Sequence, residues 1–518
     1  MSSNETARRL VDKLWSYCHV LRDDGVSSID YVEQLTYLLF LKIAEEQRPL
    51  GRLGTQMLPD DAAWAERGWP ELLRAKGSDL SMVYQQLLDD LGSSADDTTF
   101  HLIFDAARNK IRSSTHLRRL VVDFIESEKW SVNKTTDGQL IDVKGDAYEQ
   151  LLARGASDIK SGAGQYFTPR VLVQTIVECV QPTPKDTITD PACGTGGFLL
   201  SAWDYIRRNH GAELTDVQNE RYRSGGAIWG AELVHNTARL AAMNLYLHNI
   251  GTAYGKPVIH NEDALRNRPT KRATLVLANP PFGRKSSVAT YDEDGTAGNR
   301  EAQTYKSRTD FWDTTSTNKQ LNFVQHIVSL LEIGGRAAVV LPDNVLFEGG
   351  VGETIRRSLL RECDVHTMLR LPTGLFYANG IKANVLFFTR KPARSESEPP
   401  ATKRLWVYDF RTRKHFTLKQ NPLTREALQE FVDSYRPGAD PDERIETERF
   451  RAFSYEELME RDKASLDISW LSESDDKDGA SLPAPQILVE EIALDLQLAL
   501  GELEKITDSL RTALVTGP

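Results

Sequence analysis

Between residues 146 and 395 the apolar positions come in short runs, each followed by a longer stretch in which they recur every third or fourth residue. That alternation marks β-strands joined by amphipathic crossover helices, and so a doubly wound, Rossmann-like α/β domain with a mainly parallel sheet. The runs predict strands at Thr187 to Thr189, Ala227 to Gly230, Val258 to His260, Thr274 to Ala278, Arg336 to Leu341 and Asn384 to Thr389. Residues 1–140 have a different texture. Leu10, Val11, Leu14, Trp15, Cys18 and Leu21 share one helical face, Gly25 ends that run, and Ser27 with Asp30 resembles a capping box ahead of Tyr31 to Ile43. Helical spacing with polar loops continues from there, which predicts an α-helical N-terminal domain.

From Lys391 the polar, proline-containing stretch KPARSESEPPATKR breaks the pattern, a mixed C-terminal extension follows over 396–470, and LSESDDKDGASLPAP reads as a linker over 471–485. In 486–515, Val489, Ile492, Leu496, Ala499, Leu503, Ile506, Leu510 and Ala513 alternate at spacings of three and four, a heptad seam that predicts a C-terminal helical tail. A coiled coil with a partner and packing on the chain's own body fit this seam equally well.

Composition narrows the classes. A length of 518 residues exceeds one ordinary core. No apolar run reaches the roughly 18 residues of a membrane helix, and the start MSSNETARRL lacks the apolar core of a signal peptide, so a cytoplasmic chain with no membrane attachment is expected. Cys18, Cys179, Cys193 and Cys363 are widely scattered, which suits reduced thiols, and no metal site is expected. The net charge of −11 argues against a stand-alone nucleic-acid binder. Such proteins displace counterions from phosphate with a basic excess, so a nucleic-acid role here needs locally basic surface or a partner.

The chemistry concentrates at four predicted strand ends. TDPACGTGGFLL, residues 189–200, puts Gly194, Gly196 and Gly197 between a strand and a helix, where the backbone turns tightly and the free N–H groups of the helix start face a ligand. No Lys-Ser/Thr follows the last glycine, which disfavours a phosphate-binding loop and an ATPase. Glu232 closes the apolar run AIWGAE, placed to accept from ribose hydroxyls, and Asp263 follows the strand VIH, placed to accept from an exocyclic amine. Either acid taken singly reads more readily as a surface carboxylate. Fourth comes TLVLANPPFGRK, in which apolar residues run to Ala278 and then give way to an amide, two prolines and a ring. Proline cannot donate to a sheet ladder, so pairing should stop at Asn279 and leave its side chain at the strand's C-terminal edge, where open α/β sheets bind ligands.

In this order, GQYFTPR (164–170), DPACGTGGF (190–198), Glu232, Asp263 and NPPF (279–282) resemble the successive motifs of the S-adenosylmethionine-dependent amino methyltransferases of DNA. The resemblance implies that Tyr166, Phe167, Thr168, Pro169, Asp190, Ala192, Gly194, Thr195, Gly196, Gly197, Phe198, Glu232, Asp263 and Ala264 bind the cofactor S-adenosylmethionine, and that Asn279, Pro280, Pro281 and Phe282 are catalytic. An adenine amine is a poor nucleophile because its lone pair is delocalised into the ring. Hydrogen bonds to the Asn279 amide oxygen and the Pro280 carbonyl localise that pair and aim it, while Phe282 offers a stacking face to a base flipped out of the duplex.

GGRAAVVLPDNVLF (334–347), LPTGLFYANGIKANVLFF (371–388) and TNKQLNFVQHIVSLL (317–331), with the helical N-terminal domain and the heptad tail, narrow the resemblance to the modification subunit, often called HsdM, of type I restriction-modification systems. The expected function is then adenine N6 methylation at specific sites. The expected partners are double-stranded DNA, a specificity subunit, a second copy of this chain and a restriction subunit. Delegated sequence reading would account for the acidic charge. Phe376 fits a second wall of the base pocket or plain core packing. The loop from Gly283 to Lys319, with Arg284, Lys285, Arg300, Lys306, Arg308 and Lys319 balanced by acids, is expected to order on DNA or to be a surface loop. Rival readings are a protein glutamine methyltransferase, which more often has tyrosine where Phe282 stands, a DNA N4-cytosine methyltransferase, which more often has serine where Asn279 stands, and a non-catalytic assembly subunit.

Overall fold

The computed structural model describes residues 9–471 except 10, 19–20, 22–24, 48–66, 94–96, 129, 131–132, 135–139, 142–147, 149, 153–167, 253–254, 283–286, 292–296, 303–304, 306, 377–381, 394, 396, 413, 415 and 418–420. The expected linker beyond Leu471, the heptad tail and the motif residues Tyr166 and Phe167 lie outside the described residues.

The molecule is organised on a nine-stranded sheet. In chain order its strands are β1 (Ile188–Asp190), β2 (Ile228–Ala231), β3 (Ile259–His260), β4 (Ala273–Ala278), β5 (Leu331–Pro342), β6 (Cys363–Arg370), β7 (Ala383–Arg390), β8 (Arg404–Asp409) and β9 (Phe450–Ser454). Across the sheet they run β9-β8-β6-β7-β5-β4-β1-β2-β3. Strands β3, β2, β1, β4 and β5 are mutually parallel, β7 is antiparallel to both neighbours, and β9 is antiparallel to β8. The order reverses between β1 and β4, which puts a crevice at their C-terminal edge. Helices cover the sheet: α3 (Arg170–Val180), α4 (Gly197–His210) after β1, α5 (His235–Leu247) after β2 and α6 (Lys319–Leu330) before β5. Central strand residues such as Leu275, Val276, Leu277 and Val340 are fully buried, as a sheet covered on both faces requires.

The six strands expected from apolar runs are all present, within a residue or two except that β5 starts at Leu331, five residues early. Three more are β6, β8 and β9. Strand β6 reads CDVHTMLR, in which the half-buried Asp364 and His366 and the buried Arg370 interrupt the apolar run and hide the strand from a search for one. Strands β8 and β9 belong to the extension expected over 396–470, and they lengthen the same sheet: Leu405 to Tyr408 pair with Phe453 to Phe450.

Before the sheet, α1 (Ser28–Gln47) starts where Ser27 Oγ accepts from the Asp30 N–H, and α2 (Ser78–Gly92) buries Leu80, Tyr84, Leu87, Leu88 and Leu91. A knot of rings joins this helical region to the sheet. Phe40 of α1 meets Phe100 at 5.4 Å and Tyr246 of α5 at 6.0 Å. Burying each such ring stabilises by about 1.5–3 kcal/mol, so α5 is held from both sides. No helix among the described residues is long and apolar enough to cross a membrane. The Gly283–Lys319 segment needs one correction. Arg308 is buried, donating to Leu265 O, Asp310, Ser329 and the His326 ring, so this cation is not part of a DNA-facing surface. Equal numbers of acids and bases suggested solvent, but a guanidinium with five donors can also be enclosed once each finds an acceptor.

Candidate active site

Four strand ends at one sheet edge carry the candidate residues. After β1 the chain turns through Gly194 at φ +55° and Gly196 at φ +84°, backbone that only glycine enters without strain, and then begins α4. A Cβ on Gly196 would stand 2.6 Å from Leu245 Cδ1 of α5, so close packing as well as the turn demands glycine there. The turn closes on itself with Gly196 N–H donating to Cys193 O. Asn244 of α5 donates from Nδ2 to Thr195 O at 2.9 Å and holds the turn from behind. That residue was not legible in sequence, where it stands as a lone amide within the apolar stretch RLAAMNLYL.

Asp190, at the end of β1, accepts from the Ala192 N–H at 2.9 Å. Burial pushes its carboxyl up to about 8, the Ala192 bond opposes that rise and neighbouring Glu232 adds to it. Glu232 follows β2. One of its oxygens accepts from Gly194 N–H at 3.1 Å and the other from Val234 N–H at 2.9 Å, so the carboxylate ties the glycine turn to the start of α5. Burial raises its pKa, against which those backbone bonds work. Asp263 lies three residues beyond β3, half-buried, with Oδ1 accepting from Leu265 N–H at 3.0 Å and Ala264 packed against the small cluster of Leu265, Tyr305, Phe311 and Phe323.

Strand β4 ends at Ala278, as the prolines dictate. Because β1 and β4 pair in parallel, with Ile188 opposite Leu275 and Thr189 opposite Val276, Asn279 and the glycine turn emerge side by side from strands about 5 Å apart. Asn279 Nδ2 donates to Thr168 Oγ1 at 2.8 Å, and Oδ1 is buried with no hydrogen-bond partner among the described residues. Such an orphan costs about 1–3 kcal/mol unless something donates to it, so it marks where a donor belongs. Pro280 is buried and Pro281 exposed. Phe282 packs edge-to-face with Phe376, ring centres 5.6 Å apart. Phe376 is itself buried, so it braces Phe282 from the loop after β6 and belongs to the core. Thr168 and Pro169 precede α3 at this same place.

A tight glycine turn, a helix start and two carboxylates at successive strand ends fit a nucleoside-bearing cofactor, and the unpartnered amide oxygen beside them fits an amine. Comparison with known proteins agrees. The N-6 DNA methylase family model matches residues 139–470 and the HsdM N-terminal domain model residues 10–143. The type I restriction enzyme EcoKI methylase subunit of Escherichia coli (strain K12) is 37% identical over 535 residues, covering 97% of this chain and 95% of that protein. The crystal structure of the EcoKI M protein, classed as EC 2.1.1.72, superposes with a TM-score of 0.50 at 33% identity over 97% of this chain and 96% of its own. A chain solved in work on complex assembly and conformational transition of the type I restriction-modification system gives a TM-score of 0.67 at 25% identity, over 97% and 98% of the two chains. The chain therefore belongs to the N-6 DNA methylase family, as a methylase subunit of the type I restriction-modification kind, a site-specific DNA methyltransferase that modifies adenine.

Proposed function

We propose that the Asn279 Oδ1 atom and the Pro280 carbonyl receive the two N–H groups of an adenine flipped from double-stranded DNA. The observation that carries this reading is the orientation of the Asn279 amide. One N–H of the amide goes to Thr168, which sets the amide with its buried oxygen unpartnered and able to accept from the incoming amine. Those two acceptors draw the nitrogen lone pair out of the ring and aim it, and the amine needs no general base before it attacks. Phe282, braced by Phe376, gives the base an apolar wall that helps offset the few kcal/mol of unstacking.

On the other side of the crevice, Asp190, the glycine turn, Glu232 and Asp263 are the residues that would hold S-adenosylmethionine. A Cβ at Gly196 would intrude on the packing behind the turn, and the turn carries the narrow φ values of a cradle. When bound, this cofactor supplies an electrophilic methyl group on a sulfonium. Glu232 would then accept from the ribose hydroxyls and Asp263 from the adenine amine of the cofactor, with Thr168 and Pro169, beside Asn279, as further candidates for holding it. A glutamine amide would suit the same acceptors, but the family match and Phe282 favour DNA.

In this reading the chain works in the cytoplasm with a specificity subunit that reads the target, a second copy of itself and a restriction subunit. The net charge of −11 supports delegated target reading. The test is transfer of labelled methyl groups to DNA by the chain with its specificity subunit, followed by identification of the modified base. N6-methyladenine is expected; N4-methylcytosine or labelled protein in its place would sink the assignment.

A further inference from the structure

A continuous line of hydrogen bonds runs from the helical region to the backbone carbonyl of Glu232, the residue after β2. Arg239 of α5 is buried and donates to Glu33 Oε1 and to the Tyr37 hydroxyl at 2.8 Å, both on α1, and to Asp105 O. The Nη2 that donates to Asp105 O also lies 3.1 Å from His235 Nε2, one helical turn earlier. His235 Nδ1 lies 3.0 Å from Asn261 Oδ1. Asn261 Nδ2 donates to Glu232 O at 2.9 Å and to Leu233 O at 3.1 Å.

The polarity of this line is fixed by which groups can only donate or only accept. A guanidinium has no lone pair to offer, so Nε2 of His235 must accept. The Glu232 and Leu233 carbonyls can only accept, so the Asn261 nitrogen must face them and its oxygen must face the ring. In this line His235 therefore accepts at Nε2 and donates from Nδ1–H to Asn261. The Glu232 turn is thus pinned at three points: its N–H on His260 O, its side chain on Val234 N–H, and its carbonyl on Asn261.

We propose that His235 is a positioning residue for the cofactor's ribose, setting the Glu232 turn through Asn261 and itself set by Arg239 and the Glu33 of α1. The helical N-terminal region then contributes to cofactor affinity without touching the cofactor. This rests on the reading that Glu232 receives the ribose hydroxyls.

The test uses the full chain and equilibrium binding of S-adenosylmethionine, with methyl transfer measured alongside. His235→Ala is expected to weaken binding about tenfold, the worth of one hydrogen bond to a fixed group, and to raise KM for the cofactor more than it lowers kcat. His235→Asn and His235→Gln separate positioning from packing. An asparagine amide can take the place of Nδ1–H and reach Asn261, whereas a glutamine amide projects toward the place of Nε2. His235→Asn is therefore expected to regain most of the lost affinity and His235→Gln little of it. In the parent chain, nitrogen-15 spectra of labelled histidine should show the His235 proton on Nδ1. Near-parent affinity for His235→Ala, equal losses for the asparagine and glutamine variants, or a proton on Nε2 would each overturn the proposal. Glu232→Ala serves as the control for the reading beneath it: unchanged binding there removes the ribose role itself, while strong loss there beside an inert His235→Ala removes only the line from Arg239.

Discussion

On the β1–β3 side of the sheet edge the candidate residues are bonded to one another: Glu232 holds the Gly194 N–H, Asp190 the Ala192 N–H, and Asn244 the Thr195 carbonyl. On the β4 side Asn279 makes one side-chain hydrogen bond, to Thr168, and keeps a buried oxygen with no partner. The first region is shaped before any ligand arrives. The second is left one donor short, which on the proposed reading an incoming amine supplies. A site can thus combine a preformed cradle with an acceptor whose unmet bond favours the entering substrate.

The strongest break of this contrast is Asn279→Ala. Methyl transfer should fall by about 10²–10³, the usual loss when one preorganised polar group is removed, while cofactor affinity measured by calorimetry stays within about twofold. A small loss would deny the amide its role. Next, Glu232→Ala or Asp263→Ala should reverse the pattern, weakening cofactor binding by about 10- to 100-fold as hydrogen bonds to a charged group are lost. Saturating cofactor should then restore much of the rate, and unchanged affinity would count against the cradle. Gly196→Ala tests the preformed shape itself: positive φ and the encounter with Leu245 together should cost about 2–3 kcal/mol, seen as a lower melting temperature and weaker cofactor binding.

The mildest effect concerns Asp190. Its folded pKa of about 8 lies above the 3.8 of an exposed carboxyl, so the folded state holds a proton that the unfolded chain has released. The stability this contributes is full below about pH 4 and is lost as pH rises through about 8. Asp190→Asn keeps the acceptor for Ala192 and removes that loss, so its melting temperature should pull ahead of the parent's between about pH 5 and pH 9. A gap that stays constant across that range would show that Asp190 is ionised throughout.

Much of this edge could be read from the sequence because its rules are local. Prolines at 280 and 281 must end β4, and glycines at 194 and 196 must sit where φ is positive. The rest depends on contacts between distant segments. Thr168 suggested a cofactor neighbour, but its bond to Asn279 spans 111 residues and has no sequence signature. His235, Asn244 and Asn261 look like ordinary polar residues until α5 is seen lying behind the glycine turn. Strand β6 escaped notice because its polar residues interrupt the apolar run, and Arg308 was taken for a surface cation because its acceptors come from α6 and from Leu265.

The pairing of Ile188 with Leu275 and Thr189 with Val276 acts as a ruler for the reaction. Sliding β4 by one residue against β1 would carry the amide about 3.4 Å along the strand and turn it to the opposite face. The apolar interior of the sheet, far from the crevice, therefore sets how the Asn279 amide stands against the glycine turn.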